Sequence, residues 1–215
     1  MDDICLIVFT NGRLDLLART IESAEKNLQC DFKAKWIIND CPEAYSDLQS
    51  WYCSKGFEIY NNSVKSGYCY SIQKAWNELR SRYDFIFHLE EDFIFNEPIP
   101  VMDMIRVLKH DFSLAQMALV RQPINEIELA AGSILKATQE RYTPKKWDGY
   151  DWLESNFCFT NNPCVYPDLI TRGPYPQRTS WPWGESAFSE LLRSHGYRFG
   201  YWGTMDQKPK VTHIG

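Results

Sequence analysis

The first half of the chain alternates short apolar runs with helical stripes, and this alternation restricts the fold more than any other feature. Residues 4–9 form an unbroken apolar run, as expected for a strand buried on both faces. In residues 14–28 the apolar positions recur at helical spacing. Further strands and helices are predicted, in chain order, at residues 35–40, 43–54, 57–60, 66–82 and 84–89. Repeated strand–helix–strand units imply an α/β fold with a mostly parallel sheet flanked by helices.

The second half has a less regular pattern. A helix is predicted at residues 98–109, a strand at 115–121, a helix at 184–195 and a strand at 197–202, followed by a polar tail. Residues 138–166 are rich in aromatic side chains and are predicted to be irregular. A length of 215 residues suits a single domain. We divide this domain into two halves, residues 1–97 and residues 98–215.

Composition and charge limit the classes of partner and location. A net charge of −5 argues against a general polyanion-binding surface. The seven cysteines are an odd number without a C-x-x-C pair, which indicates free thiols in a reducing compartment. We find neither a signal peptide nor an apolar segment of membrane-spanning length. We therefore expect a cytoplasmic protein without a transmembrane segment.

Three consecutive acidic residues, Glu90, Glu91 and Asp92, close the most apolar strand of the chain. Charge between two apolar stretches is unfavourable unless something positive compensates it. On an extended backbone Glu90 and Asp92 point to one face, and Glu91 turns away. Two carboxylates that leave positions open for water and phosphates are suited to holding Mg²⁺ or Mn²⁺ on a nucleotide. A solvated strand end is the simpler interpretation of the same residues.

Other polar residues follow predicted strands in the same way. Thr10 and Asn11 come directly after the first strand, and Asp40 ends the second. In an open parallel sheet, ligands bind at the carboxyl ends of the strands. The sequence therefore predicts that Thr10, Asn11, Asp40 and the acidic run lie at one edge of the sheet, around one site.

Taken in order, these segments resemble a GT-A fold nucleotide-sugar glycosyltransferase, close to the inverting glycosyltransferase family two. The stretch from Phe9 to Arg13 resembles the first nucleotide-contacting turn of that family. Asp40 is similar to the aspartate that recognises the base or the ribose. Lys65 belongs to a Lys-Ser-Gly segment that resembles the part of the family passing beside the donor.

Three further motifs carry the resemblance. The Glu90-Glu-Asp92 run resembles the D-x-D motif, with a glutamate in the first place. Glu185, in a Trp-Gly-Glu-Ser stretch before a helix, resembles the later acidic motif, although the second carboxylate of that motif is a serine here. His213 lies in a segment similar to the C-terminal histidine segment that adds a metal ligand.

The resemblance implies a Rossmann-like GT-A sheet with an acceptor-side C-terminal part. Residues 1–97 would be the nucleotide-sugar-binding half of the domain, and residues 98–215 the acceptor-binding and catalytic half. It implies sugar transfer with inversion from a nucleotide sugar, expected to be a UDP-sugar, to an acceptor hydroxyl, assisted by Mn²⁺ or Mg²⁺. Asp92 and His213 are the implied metal ligands, and Glu185 is the implied general base. Helix dipole and burial would shift the pKa of Glu185 in opposite directions. The donor contacts are expected from Thr10, Asn11, Arg13, Asp40, Lys65, Glu90 and Glu91.

Simpler roles stay open for several of these residues. Asp40 would also serve to cap the helix that follows it, and Thr10, Asn11 and Arg13 would also suit an ordinary turn. Lys65 and His213 are alternatively solvent-exposed side chains. Trp147, Trp152 and Trp183 are candidates for an acceptor-binding surface, and the first two are alternatively part of a hydrophobic cluster.

The acceptor and the class of protein also have alternatives. A saccharide, a lipid-linked sugar, a protein side chain or a modified nucleic acid are all candidate acceptors. A nucleotidyltransferase that makes sugar nucleotides is a second enzyme class, but its Gly-rich basic loop is reduced here to Asn11-Gly12-Arg13. A sugar- or nucleotide-binding module without catalysis is the third interpretation.

Overall fold

The predicted parallel half of the sheet is present in the computed structural model, which describes residues 2–177 and 184–215. Strand β1 (Ile4–Thr10) lies between β2 (Ala34–Asn39) and β4 (Phe85–Glu90), and β3 (Phe57–Asn61) forms the edge beyond β2. All three pairings are parallel. Every residue of β1 is buried, as its unbroken apolar run predicts. The carboxyl ends of these strands therefore lie along one edge of the sheet.

Beyond β4 the same sheet continues through the second half of the chain. The additional strands are β6 (Leu114–Ala118), β7 (Thr143–Trp147), β8 (Tyr150–Ser155), β9 (Cys164–Pro167) and β10 (Arg198–Trp202). Within the described residues the sheet has nine strands, in the order β3-β2-β1-β4-β9-β6-β10-β8-β7. Among these strands only β8 and β9 run opposite to the others, so the prediction of a mostly parallel sheet is confirmed.

Helices cover both faces of the sheet, because alternate residues of the central strands face opposite sides. Leu6 and Val8 of β1 pack in one layer of the core, together with α1 (Leu14–Asn27), α2 (Tyr45–Tyr52) and α4 (Val101–His110). Ile7 of β1 packs in the other layer. That layer contains apolar residues of α3 (Tyr68–Leu79) and α7 (Gly184–Ser194). Two short helices, α5 (Glu126–Ala131) and α6 (Ile134–Ala137), lie between β6 and β7 in the chain.

The prediction that residues 138–166 are irregular is wrong. Strands β7 and β8 form an antiparallel hairpin in which Trp147 pairs with Tyr150. The two residues between them, Asp148 and Gly149, have φ values of 48° and 84°. Two positive φ values in a two-residue loop are what a tight hairpin requires, and Asp-Gly favours them. The polar tail also contains a strand, β11 (Val211–His213), which pairs antiparallel with β5 (Phe93–Phe95).

The helices in the described residues are shorter than a helix that crosses a membrane. Helix α1 has 14 residues, whereas a helix needs about 20 apolar residues to cross the hydrocarbon core of a bilayer. Within the described ranges, no helix is both long and apolar enough to do so.

His88 of β4 is a buried polar residue beneath the carboxyl edge of the sheet. Its ring stacks on Phe9, with ring centroids 4.7 Å apart. Nε2 lies 2.9 Å from the Tyr68 hydroxyl, and Nδ1 lies 3.3 Å from the Tyr166 hydroxyl. Burial lowers the pKa of His88 to about 3, so the imidazole is neutral in the folded protein at pH 7.

We predict that His88 makes the fold less stable in acid. The unfolded chain takes up this proton near pH 6.5 and the folded chain only near pH 3. The free energy of unfolding therefore falls as pH drops across this window, by at most about 1.4 kcal/mol per pH unit from this group. In His88→Gln the slope should be flatter, as measured by urea denaturation between pH 4 and pH 7. The exposed-histidine control His195→Gln should keep the wild-type slope, and an unchanged slope in His88→Gln would contradict the prediction.

Candidate active site at the carboxyl edge of the sheet

The acidic run is anchored through Glu91, which is 2% exposed. Its Oε2 accepts hydrogen bonds from the Thr10 hydroxyl and from the backbone N–H of Asn11, the latter at 3.1 Å. Its Oε1 accepts from Nε of Arg13 at 2.6 Å. The expectation that Glu91 turns away is wrong because β4 ends at Glu90, so the alternation of an extended strand does not continue. Glu91 instead ties the end of β4 to the turn after β1.

Asp92 and His213 are brought together by the pairing of β5 with β11. Nε2 of His213 lies 3.2 Å from Oδ2 of Asp92. The same Oδ2 accepts a hydrogen bond from Nη2 of Arg13 at 2.7 Å. Oδ1 of Asp92 is buried and has no hydrogen-bond partner. Residues distant in sequence therefore meet at one carboxylate.

This donor set fits a divalent cation that is also bound by other ligands. A carboxylate oxygen without a partner and an imidazole nitrogen are suitable ligands for Mn²⁺. Among the described residues, no group of three or more His, Cys, Asp or Glu side chains is arranged to hold a metal ion. With Asp92 and His213 as protein ligands, the remaining positions would fall to water and to phosphate oxygens.

Glu90 has a different environment from its two acidic neighbours. Its Oε1 accepts a hydrogen bond from the Tyr68 hydroxyl at 2.5 Å. Burial, reinforced by the negative charges of Asp92 and Glu185, raises the pKa of Glu90 to about 8, although the Tyr68 hydrogen bond acts in the opposite direction. Glu90 is therefore largely protonated at pH 7 when no cation is bound nearby.

Two adjoining cavities open at this edge of the sheet. The smaller has a volume of about 190 Å³, and the larger has a volume of about 630 Å³. They share Gly67, Tyr68 and Glu90 as lining residues. The expected donor-contacting residues all line the smaller cavity: Thr10, Asn11, Arg13, Asp40, Lys65, Glu90 and Glu91. His213 and Glu185 line the larger cavity.

Asp40 organises the segment that separates the two cavities. Its carboxylate accepts hydrogen bonds from the backbone N–H groups of Ser66 and Gly67, each at 2.8 Å, and from the Asn62 side chain at 2.8 Å. No side chain caps the short helix that follows Asp40. Helix capping therefore does not explain this aspartate. The exposed side chain of Lys65 adds a positive charge to the wall of the smaller cavity.

Glu185 lies in the first turn of α7. One of its carboxylate oxygens, Oε1, accepts a hydrogen bond from the backbone N–H of Asn161 at 2.5 Å. Burial raises the pKa of Glu185, against the lowering effect of hydrogen bonds from Asn161 and Thr160. The net shift of the Glu185 pKa is upward, in the direction that burial gives. A carboxylate with a raised pKa beside a cavity is suited to accepting a proton near neutral pH.

The candidate acceptor tryptophans are not brought to these cavities in the described residues. Trp152 is 4% exposed and packs in the core. Trp147 stacks on His110 at a centroid distance of 4.0 Å and lines a separate groove. Both belong to the hydrophobic cluster that was their alternative interpretation. Trp183 lies outside the described residues.

Aromatic residues from other segments line the larger cavity instead. Tyr68, Tyr70 and Tyr175 lie there beside Phe93. In the sequence, Tyr68 is part of the apolar stripe of α3, which hides the polar role of its hydroxyl. The feature that could have indicated this role is the position of Tyr68 directly after Gly67, where α3 begins at the carboxyl edge of the sheet.

Comparison with known proteins identifies the fold. No protein-family model matches the chain, and no curated protein matches its sequence. Among solved structures, the chain is similar to GalNAc-T7 with UDP, GalNAc and Mn²⁺, with a TM-score of 0.69 and 10% identity. It is also similar to the mannosyltransferase PcManGT from Pyrobaculum calidifontis in complex with GDP-Man and Mn²⁺, with a TM-score of 0.61 and 11% identity.

Both similarities extend over 100% of this chain, which covers only 44% of the first protein and 59% of the second. The chain thus spans less than two thirds of the length of either. The predicted GT-A fold is confirmed by these similarities and by the sheet described above.

Thr20 of α1 contacts the backbone of the turn between Glu91 and Phe93, and we predict that its hydroxyl stabilises the protein. The hydroxyl donates a hydrogen bond to the backbone oxygen of Glu91 at 2.6 Å and accepts one from the N–H of Phe93 at 3.2 Å. Thr20→Val preserves the shape but leaves two buried backbone groups without partners. The free energy of unfolding, measured in urea, should fall by about 1–3 kcal/mol.

The matched control is Thr212→Val, which removes an exposed hydrogen bond to Asn96. Its effect should stay within about 0.5 kcal/mol. Equal stabilities of the two variants would show that the Thr20 hydroxyl does not hold the turn.

Proposed function

We propose that the protein is a glycosyltransferase that moves a sugar from a nucleotide sugar to an acceptor hydroxyl with the help of a divalent cation. One observation carries the proposal: Asp92 and His213 meet at 3.2 Å beside a cavity that also exposes Glu185. The similar structures named above support it, because one is described with UDP and Mn²⁺ and the other with GDP-Man and Mn²⁺.

The smaller cavity is the proposed site of the nucleotide part of the donor. Arg13 and Lys65 lie there beside the acidic side chains of Asp40, Glu90 and Glu91. The two cations are the groups of this cavity that suit the oxygens of a diphosphate. Gly67 has a φ of 88°, a conformation that side-chain-bearing residues rarely adopt, and at this position the chain passes between the two cavities. A UDP-sugar is our first choice of donor, by resemblance, and a GDP-sugar is the alternative to test beside it.

Asp92 and His213 would hold Mn²⁺ or Mg²⁺. The cation would neutralise the charge that grows on the diphosphate as the glycosidic bond breaks. Glu90, which lines both cavities, would contact the donor beside this cation. Tyr68 fixes the orientation of Glu90 through its 2.5 Å hydrogen bond.

Glu185 is the proposed general base. It would take the proton from the acceptor hydroxyl as the hydroxyl oxygen attacks the anomeric carbon of the donor, and the bond to the diphosphate would break on the opposite face. This in-line attack would invert the anomeric centre. A raised pKa makes a carboxylate a stronger base, and general-base catalysis by a positioned carboxylate contributes about 10²–10⁴ in rate.

A saccharide is the acceptor that the larger cavity favours. Tyr68, Tyr70 and Tyr175 line it together with Glu185, and flat aromatic rings stack on the apolar faces of sugars. A hydroxyl group of a protein side chain or of a modified nucleic acid is an alternative acceptor, and it would lose its proton to the same base.

Within the same proposal we place the protein in a reducing compartment such as the cytoplasm. The support is the odd number of seven cysteines and the absence of a disulfide at any cysteine of the described residues, among them the buried Cys5 and Cys164. Burial raises the pKa of both thiols, which keeps them protonated and unreactive.

The first test of this function is donor binding in thermal-shift assays with UDP-sugars and GDP-sugars. A matching donor should raise the melting temperature of the wild type in the presence of Mn²⁺, because ligand binding to the folded state stabilises it. EDTA should remove most of this increase. Asp92→Asn should lose the Mn²⁺-dependent part, because the substitution removes the charge of the implied ligand.

The matched control is Asp206→Asn, since the side chain of this aspartate is 85% exposed and forms an ion pair with Lys136 away from the site. It should behave as the wild type. A donor response that is the same in Asp92→Asn and in the wild type would exclude the proposed metal site.

The second test separates the base from donor binding. Glu185→Gln should reduce transfer or donor hydrolysis by about 10²–10⁴ while it leaves donor affinity within a few-fold of the wild type. Glu190→Gln, an exposed glutamate on the same helix, is the control and should keep full activity. Turnover of Glu185→Gln at the wild-type rate would contradict the base role, and donor binding without turnover in the wild type would favour a binding module.

A further inference from the structure

The guanidinium of Arg13 occupies a position next to the implied metal ligand. Its Nε lies 2.6 Å from Oε1 of Glu91, and its Nη2 lies 2.7 Å from Oδ2 of Asp92. The two carboxylates are 3% and 5% exposed at their side chains, whereas the Arg13 side chain is 43% exposed. Arg13 is thus a solvent-reaching cation that neutralises two buried anions.

A cation that arrives at Asp92 meets this positive charge. Oδ2 of Asp92 already contacts both Arg13 and His213, and only Oδ1 lacks a partner. A divalent ion held by Asp92 and His213 would therefore lie within a few ångströms of the guanidinium, where like charges repel. Binding of the metal ion is favoured if the guanidinium moves away from Asp92.

Glu91 does not need the Arg13 side chain in order to stay in place. Its Oε2 is held by the Thr10 hydroxyl, by the N–H of Asn11 at 3.1 Å and by the backbone N–H of Arg13 at 3.3 Å. Release of the guanidinium would thus leave Glu91 anchored. Glu91 and Asp92 would each lose one charge-assisted hydrogen bond to the guanidinium, and at Asp92 the incoming cation would take its place.

We propose that Arg13 is the resident counter-ion of Asp92, that it competes there with the divalent cation, and that a nucleoside diphosphate relieves this competition. Arg13 also lines the smaller cavity, and the planar guanidinium matches phosphate oxygens. The diphosphate therefore accepts the guanidinium that the cation displaces. The cation binds weakly alone and tightly together with the diphosphate. This inference rests on the proposed metal site.

The test measures Mn²⁺ binding directly, without turnover. Electron paramagnetic resonance of free Mn²⁺ gives the Kd of the protein alone and with UDP or GDP present. Arg13→Met keeps much of the apolar stem and removes the charge. It should bind Mn²⁺ alone on the order of tenfold more tightly than the wild type, and UDP or GDP should bind more weakly. Unchanged or weaker Mn²⁺ binding by Arg13→Met would overturn the inference.

Two further variants make the result interpretable. Arg13→Lys keeps the charge but cannot form the two-pronged contact with Glu91 and Asp92, so its affinity for Mn²⁺ alone should lie between those of the wild type and Arg13→Met. This variant decides the question if Arg13→Met does not fold, and a wild-type Kd would then overturn the inference. Arg106→Met removes an exposed contact to Asp103 and should leave the Kd unchanged.

Asp92→Asn separates this inference from the proposed function. If Asp92→Asn binds Mn²⁺ as the wild type does, the proposed metal site is wrong, and the proposed competition at Asp92 is then wrong as well. If Asp92→Asn loses Mn²⁺ binding and Arg13→Met shows no gain, only the competition by Arg13 is wrong. Loss in the first variant and gain in the second support both.

Discussion

The arrangement of the site depends on the buried carboxylate of Glu91. It accepts hydrogen bonds from the turn after β1, and the Thr20 hydroxyl of α1 binds its backbone oxygen. Three segments that are separate in sequence are thereby held at one point. Because burying a charge without partners is strongly unfavourable, the ionised carboxylate of Glu91 requires these donors. Because Glu91 is fixed in this way, the position of the neighbouring Asp92 is fixed as well.

Both cavities are lined by charges of both signs. Arg13 and Lys65 lie at the smaller cavity together with Asp40 and Glu91, and Arg121 lies at the larger one together with Glu185. Tyr68 and Glu90 line both cavities, and burial favours the protonated form of Glu90. Since Arg13 is paired with Glu91 and Asp92, the positions of individual charges, rather than a net field, distinguish the two cavities.

The fold was more predictable from the sequence than the site was. Strand β1 is a continuous apolar run and α1 a regular stripe, so local pattern was sufficient for both. The β7–β8 hairpin was missed because its strands mix charged and aromatic residues, although Asp148-Gly149 marked the turn. The orientation of Glu91 was mispredicted because the alternation of a strand was extended past its last residue. The meeting of Asp92 with His213 has no local signal and was implied only by family resemblance.

The pairing of β5 with β11 has a consequence for folding. It joins Phe93 to His213, one of the longest sequence separations in the described sheets. Contacts of this kind form slowly, because a large loop must close before they contribute. The core of the parallel strands can therefore assemble before Asp92 and His213 meet. The contact between Asp92 and His213 would then report the docking of β11, and the proposed cation site would stay incomplete until β11 docks.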